Sequence, residues 1–148
     1  MAFAEYEVVI HRDALSVYNF LLDPGNLPSW RDGVRGVELV SGVACSMGAV
    51  YRPLFAGSGR RPADADFELT AARPGAEIQF QVITGPARPH GGYYLSTEGC
   101  STRVRFALRY RPAGAALLAY PKVRRAMKAQ VAQLERLKSV LEHRLAAA

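Results

Sequence analysis

The chain has 148 residues, 49% of them hydrophobic and 22% charged, with a formal net charge of +6. That length fits one domain that would bury roughly 68–70% of its unfolded surface, and the composition excludes a disordered polymer. No apolar run approaches the ~18 residues of a membrane span, and Met1-Ala2-Phe3-Ala4-Glu5 lacks both the basic start and the apolar core of a signal peptide, so a cytoplasmic protein is expected.

Residues 3–10 alternate, with Ala4, Tyr6, Val8 and Ile10 on one face and Glu5 and Glu7 on the other. This period of two predicts a half-buried strand. Asp13 can cap the helix that follows, its carboxylate accepting free N–H groups of the first turn. Ala14, Val17, Tyr18 and Leu21 then recur at helical spacing. The stretch Leu22-Asp23-Pro24-Gly25-Asn26-Leu27-Pro28-Ser29-Trp30 breaks the chain twice at proline. Each proline lacks an N–H and restricts the residue before it. A tight corner with a second short helical turn is expected, anchored by Trp30, the only tryptophan.

From residue 34 the pattern is strand after strand, punctuated by glycine and proline. Residues 34–40 come first, then a turn region at 42–48, then 49–55. A flexible loop is expected at 57–62. In 65–71, Ala65, Phe67 and Leu69 point one way while Asp64, Asp66, Glu68 and Thr70 point the other. Arg73-Pro74-Gly75 is a hairpin turn, followed by Ile78, Phe80 and Val82 opposing Glu77, Gln79 and Gln81. A second loop is expected at 85–92, with Tyr93 and Leu95 opening the next strand. Gly99-Cys100-Ser101 turns it, and Val104, Phe106, Leu108 and Tyr110 alternate with arginines.

Consecutive strands with one polar face each predict a six-stranded antiparallel meander. Its cover is the C-terminal segment, where Val123, Met127, Val131, Leu134, Leu137 and Leu141 make one stripe at steps of three and four. Pro121 predicts a kink or break at the start of that helix, leaving residues 114–120 as a separate apolar arm over one end of the sheet. The expected architecture is α+β: a strand, two short helices, the meander, and a long helix across the sheet's concave face.

The basic residues concentrate on two elements, Arg103, Arg105, Arg109 and Arg111 on one strand face and Lys122, Arg124, Arg125, Lys128, Arg136, Lys138 and Arg144 on the last helix. Both sets read as solvated faces with acids such as Glu98, Glu135 and Glu142 nearby. Neither aromatic interleaving nor zinc spacing accompanies them, so no nucleic-acid partner is expected. Cys45 and Cys100 have neither metal nor redox spacing and read as reduced thiols; no metal and no cofactor is expected.

A curved sheet touching one helix along a line leaves space between them. The inward set supplies the lining: Tyr51, Phe55, Phe67, Phe80, Tyr93, Phe106, Leu108 and Tyr110 from the sheet, Met127, Gln130 and Val131 from the helix, with Trp30 at the corner. Such residues fill an ordinary core in most proteins. Three inward tyrosines favour a pocket instead, because each buried hydroxyl needs a partner.

The residues Leu22 to Trp30, the Met47-Gly48 turn, Ser101-Thr102-Arg103-Val104, and Leu134-Glu135-Arg136-Leu137-Lys138 with Leu141-Glu142 resemble the START-like, or birch-pollen-allergen-like, superfamily. Within it the chain is most similar to the polyketide cyclase/dehydrase and lipid-transport group, over essentially its whole length. Ser101 departs from the pattern, which often has glycine there. The resemblance implies a helix-grip fold around a deep hydrophobic pocket. It also implies a ligand among lipids, sterols, hormones, quinones or polyketides, which some members cyclise or dehydrate. The fold does not choose among these.

Catalysis would need an acid or base facing the pocket. His11 lies past the first strand and His143 near the chain end; His90, in the 85–92 loop, is near the expected rim but reads as exposed. Asp64, Asp66 and Glu68 have outward parity and are expected to be solvated. No serine sits in a strand-to-helix elbow. The phenols of Tyr51, Tyr93 and Tyr110 and the amide of Gln130 remain, and could orient an enol or polarise a carbonyl. No catalytic residue is assigned. The expectation is a monomeric or homodimeric carrier of a hydrophobic small molecule. The alternatives are a cofactor-free polyketide cyclase or dehydratase, and a lipid-transfer protein making transient membrane contact through Leu117-Leu118-Ala119-Tyr120.

Overall fold

The computed structural model describes residues 2–55, 66–85, 88–111 and 120–147. The chain opens with β1 (Ala2–Ile10) and α1 (Ala14–Leu22), followed by a 3-10 helix at Pro24–Ser29. Next come β2 (Val34–Ser41), β3 (Val50–Phe55), β4 (Phe67–Arg73), β5 (Glu77–Val82), β6 (His90–Glu98) and β7 (Ser101–Tyr110). Two helices close the chain, α2 (Tyr120–Ala132) and α3 (Leu134–Ala147). The strands form one antiparallel sheet in the order β1-β7-β6-β5-β4-β3-β2. Six of them are the expected meander. The first strand returns to pair with the last along its whole length, from Ala2↔Tyr110 to Ile10↔Thr102. This is the α+β helix-grip fold: a curved sheet, two short helices after the first strand, and a C-terminal helical segment across it.

Local chemistry sets the corners. The Asp13 carboxylate accepts from the Ser16 N–H at 3.1 Å and so caps α1. Asp23 accepts from the Gly25 N–H at 2.9 Å and caps the 3-10 helix, whose start tolerates Pro24 because a first-turn N–H has no partner to lose. The Trp30 and Arg31 N–H groups both donate to the Leu27 carbonyl, at 3.1 and 2.8 Å. The two side chains are thereby fixed at the end of the corner. Gly75, with φ +72°, completes the Arg73-Pro74 turn in a conformation that disfavours side chains.

The sheet is not evenly knit. Among the described residues β3 and β4 pair at Val50↔Glu68 and Tyr51↔Phe67, and register shifts interrupt β2–β3 and β4–β5. The other end is tightly tied. Leu134, Leu137 and Leu141 of α3 are buried. The Lys138 ammonium donates to the Val9 carbonyl, and Glu142 accepts from the His11 N–H at 2.9 Å.

Three expectations need correction. The long C-terminal helix is interrupted at Gln133, whose N–H donates to the Gln130 carbonyl in a tighter turn. Pro121 is the second residue of α2, and the residues before Tyr120, where the expected kink or break would show, lie outside the described residues. Strand β6 begins at His90, which pairs with Arg109 and Gln81 instead of lying in a loop. Asp66 has the expected outward parity but is buried, its two oxygens held by Arg52 Nε and Nη2 at 3.1 Å each. Thr84 adds to this cover by accepting the Asp66 N–H at 2.8 Å. The loop expected at 57–62, Asp64 and Ala65, and all but Tyr120 of the 114–120 arm lie outside the described residues.

Candidate functional site

A cavity of about 350 Å³ lies between the concave face of the sheet, α2 and the proline corner. Its walls come from nearly every element. Leu21 of α1 and Pro24, Leu27 and Arg31 of the corner form one side, Val123, Ala126, Met127 and Gln130 of α2 another. The floor is the inward parity of the strands: Pro53 and Phe55, Phe67 and Leu69, Ile78, Phe80 and Val82, then Tyr93 and Leu108.

Of the residues expected to bind a ligand, Phe55, Phe67, Phe80, Tyr93, Leu108, Met127 and Gln130 line this cavity. Trp30, Tyr51, Phe106, Tyr110 and Val131 are buried in the adjoining core and are not among its lining residues. A continuous row of rings joins the two groups. Tyr51 stacks on Phe67 with centroids 5.7 Å apart, Phe67 meets Phe80 edge-on at 5.8 Å, and Phe80 lies 5.9 Å from Tyr93. Tyr93 continues to Phe106 at 4.6 Å, and Phe106 to Trp30 at 6.2 Å. Such contacts hold a wall rigid as well as apolar.

Glycine at position 91 makes one part of this wall. Gly91 sits opposite Phe80 in the β5–β6 register, and a Cβ there would lie 2.2 Å from Phe80 Cζ. The Phe80 ring therefore lies flat across the neighbouring strand.

The three inward tyrosines differ. The Tyr51 hydroxyl accepts the Cys45 N–H at 2.8 Å, so it anchors the β2–β3 connection. Tyr110 is buried away from the cavity. Tyr93 alone lines it, and burial pushes its phenol up to about 12, against the opposing charge and hydrogen bond of Arg31. It is a neutral hydroxyl at any ordinary pH.

Arg31, which sequence reasoning did not single out, is the one cation among the described residues lining the cavity. Its guanidinium carbon lies 5.6 Å from the centre of the Trp30 ring, within cation–π range. Nε donates to Gln133 Oε1 at 3.1 Å, and the same oxygen accepts the Asp32 N–H at 3.0 Å. The break between α2 and α3 thus holds the corner through one amide. Burial pulls the Arg31 pKa below its ordinary value, opposed by Tyr93 and, through space, by Asp32. Proximity to Trp30 at the end of the corner is the only signal the sequence carries for it.

No Asp, Glu or His is among the described lining residues, and the described residues hold no cluster of three metal-ligating side chains. His90 lies outward of Gly91 and Tyr93, 3.3 Å from Arg109, and burial with that charge lowers its pKa. The arrangement suits an apolar body, and the polar side chains among the described lining residues are Arg31, Tyr93 and Gln130.

Residues 1–142 match the family model described as polyketide cyclase / dehydrase and lipid transport. No curated protein sequence matches the chain. Among solved structures, TTHA0849 of Thermus thermophilus is similar over 99% of each chain, with 21% identity and a TM-score of 0.74. The major latex-like protein 151 of Panax ginseng is 14% identical with a TM-score of 0.65, over 93% of this chain and 95% of its own. The di-domain ARO/CYC BexL of the BE-7585A biosynthetic pathway is 19% identical with a TM-score of 0.66, and the match covers 90% of this chain but 45% of BexL.

Proposed function

The chain belongs to the polyketide cyclase / dehydrase and lipid transport family, and from that premise we propose that it binds a hydrophobic small molecule inside the cavity. One observation carries the reading: strand residues of inward parity and one face of α2 line about 350 Å³ of largely apolar space instead of meeting. A close-packed core has few voids larger than a water molecule, and an apolar pocket with a few convergent polar groups is the usual form of a small-molecule site. Titration with N-phenyl-1-naphthylamine, a neutral apolar fluorophore, tests it. The native chain should bind about one equivalent with enhanced emission, and Met127→Trp, which fills the space, should bind at least tenfold more weakly. Saturable binding that Met127→Trp leaves unchanged would place the fluorophore elsewhere and defeat the reading.

A second reading, cofactor-free cyclisation of a polyketide-like substrate, is favoured by the Tyr93 hydroxyl, a neutral donor beside a guanidinium. In such a step one carbonyl would be polarised while an enol carbon attacks it, forming a C–C bond and then losing water. Tyr93→Phe separates the readings. A carrier keeps binding with a modest loss, whereas a cyclase loses its dehydrated product.

A further inference from the structure

We infer that the cavity's ligand carries an acidic oxygen group, a carboxylate or an equally acidic enol, seated on Arg31. The inference rests on the binding reading above and specifies its ligand. The cavity wall is apolar on nearly every side, yet a guanidinium forms part of it. A charge held against apolar surroundings is costly unless paired. Among the described residues no carboxylate forms an ion pair with Arg31: the adjacent acid, Asp32, is turned to Arg136. Its partners are neutral instead, namely the Gln133 amide, the Tyr93 hydroxyl and the face of Trp30.

A guanidinium offers five N–H donors in a fixed fork. The Gln133 amide takes Nε–H, and the Tyr93 hydroxyl accepts one more hydrogen bond, which leaves donors for a ligand. Gln133 does not neutralise the cation; it fixes its direction, as does the cation–π contact with Trp30. Gln130, three residues before Gln133, adds an amide to the α2 side of the cavity. Arg31 and Tyr93 together present a planar cation and a neutral hydroxyl to the end of an apolar molecule. Planar cations recognise carboxylates and comparable oxyanions well, often through two parallel hydrogen bonds.

Displacement of bound N-phenyl-1-naphthylamine at neutral pH by two probes of equal chain length, decanoate and 1-decanol, tests the inference. Decanoate should displace the fluorophore at a concentration about tenfold lower than 1-decanol, the gain expected of a charge-assisted hydrogen bond. Arg31→Met should abolish the preference by weakening decanoate and not 1-decanol, and Arg31→Lys should keep part of it. Arg125→Met, on the exposed side of α2, controls for the general attraction of a +6 chain and should change nothing. Equal displacement by acid and alcohol in the native chain would overturn the inference without any variant, while leaving the cavity reading intact. A preference that survives Arg31→Met, or that Arg125→Met removes equally, would also overturn it. Failure of the native chain to bind the fluorophore at all would defeat the cavity reading and the inference with it.

Discussion

Helices α2 and α3 lie end to end, with 13 and 14 residues, yet they meet the rest of the fold in opposite ways. α3 sends Leu134, Leu137 and Leu141 into a filled core and ties its polar face to β1 through Lys138 and Glu142. α2 buries only Met127 and Val131. At its other cavity-facing positions it offers a half-buried Val123, a short Ala126 and a polar Gln130. The corner and the sheet reach both helices. What differs is side-chain length: long branched residues close one end, and short or polar ones leave a void at the other. The cavity is a consequence of which residues α2 lacks.

The comparison breaks most visibly by removing volume on each side. Leu137→Ala should cost about 2–5 kcal/mol, because a fully buried leucine leaves a hole its close-packed neighbours cannot fill. Met127→Ala, at the wall of an existing cavity, should cost less than half as much in the same urea titration while clearly weakening the fluorophore. Equal losses at the two sites would mean that α2 is packed as tightly as α3. Gly91→Ala should come next, at about 1–3 kcal/mol, since the new methyl displaces the Phe80 ring. Its unfolding midpoint should fall together with fluorophore capacity, as the ring moves into the cavity.

Smaller effects sharpen the boundary between the two regions. Gln133→Leu removes the acceptor for Arg31 Nε and the Asp32 N–H and should cost about 1 kcal/mol. It should also loosen Arg31, visible as a smaller acid-over-alcohol preference at nearly unchanged 1-decanol affinity. The smallest effect is in acid. Burial pushes the Glu142 carboxyl up, but hydrogen bonds from Lys138 and the His11 N–H outweigh it and hold it below its ordinary value. A carboxyl lowered on folding contributes stability above its unfolded pKa and loses it as pH falls through the folded one. Glu142→Gln should therefore destabilise at pH 7, and the gap from the native chain should narrow below about pH 4. A gap independent of pH would assign Glu142 a packing role only.

Much of the fold is legible in the sequence because it rests on short-range patterns. Period two in residues 3–10 and 101–110, the Asp13 cap and the proline corner each follow from local chemistry, and the leucine stripe finds its sheet. Depth is less legible. Parity says which face a side chain takes, but not whether that face meets another residue or empty space. Tyr51 and Phe55 share a parity, yet the Tyr51 hydroxyl ends on the Cys45 N–H while Phe55 borders the cavity. Trp30 reads as the corner's anchor and is, whereas its neighbour Arg31 reaches the cavity through a hydrogen bond to a residue 102 positions away. Asp66 escapes the outward rule for the same reason, because Arg52 and Thr84, distant in sequence, cover it.

The central claim is that α2 and the sheet enclose a ligand site. Native mass spectrometry of freshly purified protein, repeated after adding N-phenyl-1-naphthylamine and beside Met127→Trp, tests it most directly. The account predicts one discrete added mass on the native chain, lost on denaturation and absent or much reduced in the variant. The bare chain mass in both native samples would contradict it and make the space between α2 and the sheet a packing defect.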